Sequence, residues 1–215
     1  MAKEHVTGRR HKRRGYVPGD EWPLGQDGRI ASLILLNGPP GVGKSTLARR
    51  YLADHPLALL LEIDAIRCSL GQWEDIEESK PIARALAMAM AEAHLRSGHD
   101  VVVPQYLGRV EFITTLDDVA TRACGALHEI LLMDAQAIVV DRFRNRRAEL
   151  FAAGEAHPQA DVDEQAIAGE IADAFERLRM IETERPRTVV ISTTLGLEET
   201  YADLRHAIRS CPEPR

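Results

Sequence analysis

The chain has 215 residues, 45% hydrophobic and 28% charged, enough for one sizeable core and too short for two of ordinary size. No apolar run approaches the ~20 residues that cross a bilayer, and three widely spaced cysteines, Cys68, Cys124 and Cys211, argue against a disulfide framework or a zinc site. The net charge of −6 is uneven: residues 1–14 hold six basic residues and one acid, so the rest is strongly acidic and disfavours a long polyanion as the main partner.

Residues 1–28 are polar, basic at the start and broken by glycine and proline, which reads as a flexible leader. That leader is either a solvated tail or a contact for nucleic acid. No apolar stretch follows its basic residues, so a secretory signal is not expected and a cytoplasmic setting is. One domain is expected over residues 29–215. Residues 29–37 form a short apolar run bounded by turn signals, the pattern of a buried parallel strand. A glycine-rich loop follows, and then a helix over 44–55 that Pro56 ends. Residues 57–64 read as a second buried strand. The alanine-rich stretch 78–98 is a helix, with Pro81 near its first turn and Gly98 at its end. Residues 100–105 read as a third strand, 108–124 as a helix and 126–134 as a fourth strand. An arginine-dense helix is expected over 135–154, then a polar loop, a helix over 163–184, a fifth strand over 187–193 and a closing helix over 197–210. Alternating strands and helices imply an α/β three-layer αβα sandwich around a five-stranded parallel sheet.

The loop Gly38-Pro39-Pro40-Gly41-Val42-Gly43-Lys44-Ser45 matches G-x-x-x-x-G-K-[ST], and Thr46 continues the helix start. The glycines let successive backbone N–H groups face one anion, and the helix start adds its positive dipole end. Lys44 can reach the β- and γ-phosphates of ATP, and the Ser45 hydroxyl can ligate Mg²⁺. The chain has neither the Asn-Lys-x-Asp base-reading motif of a GTPase nor the Ser-Gly-Gly signature of a transporter ATPase, and no acid ends the third strand as a remodelling ATPase would require. Asp64 falls where the second strand ends, on the sheet edge that carries the phosphate loop. There it can take the proton of an attacking hydroxyl, or it can cap the helix that follows. Arg67, one turn further, can bind an anionic part of an acceptor.

With Gly38–Thr46, Asp64-x-x-Arg67 and the arginines at 142–147, the chain resembles the small P-loop kinases. That nucleoside-kinase-like group of the P-loop NTPase superfamily includes AAA_33 domains, zeta toxins, chloramphenicol phosphotransferase and the bacteriophage polynucleotide kinase. The resemblance spans about residues 30–210. It implies an ATP-dependent kinase that phosphorylates a hydroxyl of a small molecule, with Asp64 as general base and Arg142 and Arg146 as lid arginines. Their spacing of four places the two arginines on one helical face, while Arg144 and Arg147 lie on others.

Many relatives end the third strand with an aspartate that holds Mg²⁺ through water, but here Pro104-Gln105 stands in that position. Asp100 opens the same strand and is expected at the opposite edge of the sheet, which leaves Ser45, with help from Asp64, as the metal contact. Gln105, Tyr106 and Arg109 follow the third strand as acceptor-site candidates or plain loop residues. Trp73 either lines the same cleft or packs. His94, His99 and His128 show no ligand spacing. Two other functions remain open: a kinase for the 5′-hydroxyl of a polynucleotide, and a nucleotide-binding regulator with little transfer activity. A membrane partner is not expected.

Overall fold

A computed structural model describes residues 30–153 and 165–210. The basic leader, part of the polar loop before residue 165 and Cys211 lie outside the described residues. The first strand, β1 (Ser32–Asn37), is buried along its whole length. Its alternation decides the layering: Leu33 and Leu35 enter one hydrophobic core, Ile34 and Leu36 the other. A strand apolar on both faces must be covered on both, so β1 takes the centre of the sheet.

Helix α1 (Lys44–Asp54) leaves the loop after β1 and buries Leu47, Ala48 and Tyr51 on one face. The short strand β2 (Leu59–Leu60) and helix α2 (Ile63–Cys68) follow. Helix α3 (Ser79–Arg96) buries Ala83, Ala87, Ala91 and Leu95 at a spacing of four. The small alanines let its backbone approach the sheet closely, and no other stripe on the helix is both apolar and covered. Then come β3 (Val101–Pro104), α4 (Val110–Arg122), β4 (Ala126–Met133), α5 (Gln136–Ala153), α6 (Ile167–Glu184), β5 (Val189–Ser192) and α7 (Leu197–Ser210). The sheet is parallel throughout, in the order β2-β3-β1-β4-β5. The α2, α3 and α4 side chains pack on the Leu33/Leu35 face, and those of α1, α5 and α7 on the Ile34/Leu36 face. Among the described residues no helix is long and apolar enough to cross a membrane.

One expected element differs. The apolar run 57–64 is not a full strand: only Leu59 and Leu60 pair with β3, and Ile63–Cys68 is helical. β2 is an edge strand with one neighbour, so little holds the run extended. The Leu61 N–H still donates to the Val102 carbonyl (2.8 Å), and the chain then turns at Glu62 into α2. A short run of leucines does not by itself separate strand from helix. Asp64 therefore sits in the first turn of α2 rather than at a strand end, a favourable place for a carboxylate.

At the edge opposite the glycine loop, Asp100 is buried just before β3. Its Oδ1 accepts the Ser32 N–H (2.8 Å) and its Oδ2 accepts the Tyr51 hydroxyl (2.8 Å). One carboxylate thus joins the starts of β1 and β3 to the middle of α1. It lies far down the strand from the loop, as the sequence reading placed it. Asp100→Ala would leave a buried N–H and a buried hydroxyl without this acceptor. We expect it to lower unfolding free energy in urea by about 2–3 kcal/mol, and Tyr51→Phe by about 1 kcal/mol. Unchanged midpoints in both variants would refute the clamp.

Candidate functional site

The parallel sheet brings the C-terminal ends of its strands to one edge, and a cavity of about 620 Å³ opens there. Its lining includes the glycine loop and α1 start (Pro40–Leu47), Glu62 and Asp64 near α2, and Gln105 and Tyr106 after β3. Arg142 and Arg146 of α5, with Thr193 after β5, complete the parts that matter here. The cavity gathers residues from six separate segments, so no local stretch of sequence could reveal it alone.

The loop is held by steric necessity. Gly38 has φ 149°, and a Cβ there would meet the Leu132 carbonyl at 2.6 Å. Gly41 has φ 86°, and its Cβ would meet the Val139 carbonyl at 2.8 Å and the Phe143 nitrogen at 3.0 Å. The loop backbone is therefore wedged against β4 on one side and α5 on the other. Asn37, buried at the end of β1, fastens its base: the side-chain oxygen accepts the N–H groups of Gly38 (2.8 Å) and Leu107 (2.9 Å), and the amide donates to the Leu107 carbonyl (2.9 Å). One side chain thus ties the glycine loop to the loop after β3. A polar residue directly after the apolar run Leu33–Leu36 is the signal that could have singled it out.

Lys44 folds back onto the loop, donating from Nζ to the carbonyls of Gly38 (2.8 Å) and Pro39 (2.9 Å). The residue as a whole is only partly covered, yet its ammonium lies against the protein. Burial, and then the positive charge of Arg146, lower its pKa from 10.5 to about 7, while Asp64 opposes them. Lys44, Arg146 and Asp64 are therefore close enough to feel one another across the cavity. Ser45 lines it beside Lys44.

Arg142 and Arg146 both line the cavity, but their surroundings differ. Arg142 is ion-paired with Asp134 (3.0 Å), whose side chain has no exposed surface. Asp134 also accepts the Ala135 N–H (2.8 Å) and the hydroxyls of Thr193 (3.0 Å) and Thr194 (3.2 Å). Burial alone would raise the Asp134 pKa, but these donors and Arg142 outweigh it and hold the carboxyl below its ordinary range. Arg146 has no carboxylate partner among the described residues. Asp134, Thr193 and Thr194 carry no sequence motif; their position just past the ends of β4 and β5 is their one visible signal.

Gln105 borders the cavity as expected from its place after β3, and its N–H donates to the Leu36 carbonyl (3.2 Å). Burial pushes the Tyr106 phenol up, so it stays protonated and can only donate or accept a hydrogen bond. Arg109 is exposed at the start of α4 and lines neither this cavity nor the smaller one beside it. Arg67 donates to the Ser79 hydroxyl (2.9 Å) and the Trp73 carbonyl (3.3 Å), with its guanidinium 4.8 Å from the centre of the Trp73 ring. Trp73 is buried beneath it and packs rather than lining the cleft. Glu62, two residues before Asp64, is the other carboxylate facing the cavity, and it also pairs with Arg49 (3.4 Å).

Among the described residues no three histidine, cysteine or acidic side chains gather to hold a metal. That donor set still suits Mg²⁺, which is commonly held by one or two protein groups together with phosphate oxygens and water. Ser45 fits that pattern, with Glu62 and Asp64 as the carboxylates on the cavity wall.

The AAA_33 family, described as an AAA domain, matches residues 33–172, about two thirds of the chain. The tunicamycin resistance protein of Deinococcus radiodurans superposes on 86% of this chain and 100% of its own, with a TM-score of 0.54 and 15% identity. A protein assigned as a kinase from Chloroflexus aurantiacus covers 84% of this chain and 97% of its own, with a TM-score of 0.56 and 16% identity. A gluconokinase from Sinorhizobium meliloti overlaps 85% of this chain and 99% of its own at 19% identity, with a TM-score of 0.49. No curated protein matches the sequence. At these identities the likeness is one of fold.

The lowered Lys44 pKa has a measurable sign. A bound phosphate chain favours the ammonium and raises the pKa again. Above pH 7 nucleotide binding must therefore take up a proton at Lys44, and affinity must fall as pH rises. Calorimetry of ADP binding at about pH 8.5, in buffers of different ionisation heat, should show uptake approaching one proton per site, absent in Lys44→Met. No uptake at that pH would contradict the buried, depressed lysine.

Proposed function

The chain belongs to the AAA_33 family, and on that premise we propose that it is an ATP-dependent phosphotransferase acting on a hydroxyl of a small molecule. The observation that carries the reading is that Lys44 and the glycine loop share one cavity with Asp64, close enough for Asp64 to act on the Lys44 charge. A phosphate cradle with a carboxylate across the cleft is the minimum needed to move a phosphoryl group to an alcohol.

The steps follow from the side chains. The loop N–H groups and Lys44 neutralise the β- and γ-phosphates of ATP. Lys44 gives up its carbonyl contacts at Gly38 and Pro39 to do so. Ser45, together with the phosphates, would hold Mg²⁺, which would neutralise charge on the phosphate oxygens. The acceptor hydroxyl passes its proton to Asp64 as its oxygen bonds to the γ-phosphorus. The bond from that phosphorus to the β-bridging oxygen breaks, and ADP leaves. Arg146, unpaired among the described residues, is best placed to stabilise the charge on the transferring group. Arg142 holds the neighbouring turn through Asp134 and contributes a second positive charge. Tyr106 stays neutral and cannot replace Asp64 as base.

An ATP-consumption screen against hydroxylated small molecules, with Lys44→Ala as the blank, tests the reading. With the acceptor it identifies, Asp64→Asn should lower turnover by about 10²–10⁴-fold while leaving binding of an ATP analogue unchanged. Arg146→Ala should cost about 10³-fold or more in turnover. Full activity in Asp64→Asn would remove the assigned base. ATP binding without turnover in the whole screen would favour a regulatory role instead.

A further inference from the structure

A second cavity, of about 170 Å³, adjoins the first. Asp64 and Gln105 line both, so they stand where the two meet. Its other walls come from α2, α3, the loop after β3 and the start of α4: Arg67, Lys80, Arg84, Leu107 and Phe112 bear on what it can hold. Three of these are cationic, and Asp64 is the single acid on the wall.

The three cations are differently held. Arg67 is pinned by Ser79 and the Trp73 carbonyl, both fixed on buried residues, so its fork is oriented in advance. Arg84 lies over Phe112, with its guanidinium 5.2 Å from the ring centre, and has no carboxylate partner among the described residues. Lys80 pairs with Glu77 (3.5 Å), but both side chains are largely exposed, and such a pair is weak enough to give way to a ligand. The body of the protein beyond its first fourteen residues is strongly acidic, so a basic trio here is a local concentration of charge against the general field. The volume equals about five or six waters at ~30 Å³ each, which suits a small molecule and not a folded partner.

We propose that this smaller cavity is the acceptor subsite, and that it takes a small hydroxyl compound carrying an anionic group, a carboxylate or a phosphate. The anion sits among Arg67, Lys80 and Arg84. The carbon skeleton lies against Phe112 and Leu107. The hydroxyl reaches the junction of the two cavities, where Gln105 can hold it and Asp64 can take its proton. The assignment rests on the phosphotransfer reading above and adds to it the charge class of the acceptor. It also explains how a cleft in an acidic protein draws an anionic substrate to the phosphate donor.

The test uses the full chain saturated with Mg²⁺ and a non-hydrolysable ATP analogue, which keeps other anions out of the glycine loop. Glycerate, glycerol 3-phosphate and inorganic phosphate are titrated in, with glycerol as the neutral control. The anions should bind and glycerol should not. The Lys80→Gln/Arg84→Gln variant, altered at two exposed positions, should weaken anion binding about tenfold or more with analogue affinity unchanged. Equal binding of glycerol, anion binding that survives the double substitution, or no anion binding at all overturns the assignment and leaves the kinase reading standing. Binding confined to a 5′-hydroxyl oligonucleotide overturns it in favour of a nucleic-acid acceptor. Failure of the analogue itself to bind removes both.

Discussion

The close approach of the glycine loop to β4 and α5 is the constraint on which the rest of the site depends. Gly38 lies against the Leu132 carbonyl and Gly41 against the Val139 carbonyl, with no room for a Cβ at either place. The loop cannot shift outward without losing Asn37, nor inward without displacing α5. The loop is therefore held at the cavity wall by the backbone around it. The same contact sets α5 at a fixed height above the loop, and so brings Arg142 and Arg146 over the place where phosphates would lie. A loop chosen to bind an anion and a helix chosen to carry cations are positioned by one packing event.

The site is pre-charged, and its charges are not equally committed. Burial and the charge of Arg146 lower the Lys44 pKa, which eases the repulsion between the two cations. Arg142 is satisfied by a buried aspartate that also takes hydrogen bonds from the end of β5. Arg146 lines the cavity and has no carboxylate partner among the described residues. Asp100 shows the same economy at the far edge of the sheet, where a buried carboxylate serves only to hold strands and helix together. Two aspartates near opposite ends of the parallel strands thus do unlike work: Asp100 is enclosed by its donors, and Asp64 faces open space.

Much of the fold was legible because the chain obeys simple rules. β1 carries leucine or isoleucine on both faces, so it had to be central; α3 carries alanine every fourth residue on its covered side, so it had to pack closely. The run 57–64 misled because leucine suits both strand and helix, and an edge strand has a single neighbour to hold it extended. Of the residues that motif and place single out, Lys44, Ser45, Asp64, Arg142, Arg146 and Gln105 line one cavity. Arg109 is exposed at the N-cap of α4, and the Trp73 carbonyl is held by Arg67 and Ser79. Asn37, Asp134 and Thr193 carry no motif, and the bonds of Asn37 to Leu107 and of Asp134 to Thr193 join segments distant in the chain.

The sequence by itself determined the phosphate loop, the alternation of strands and helices and the kind of chemistry available, since these depend on neighbours in the chain and on residue type. Only the tertiary structure decided which charges are spent and which are free. It pairs Arg142 with Asp134 across the strand ends, leaves Arg146 facing the cleft and gathers Arg67, Lys80 and Arg84 around one small cavity. The physical reason is that a charge's role is set by what surrounds it, and the surroundings come from segments that meet only when the sheet forms.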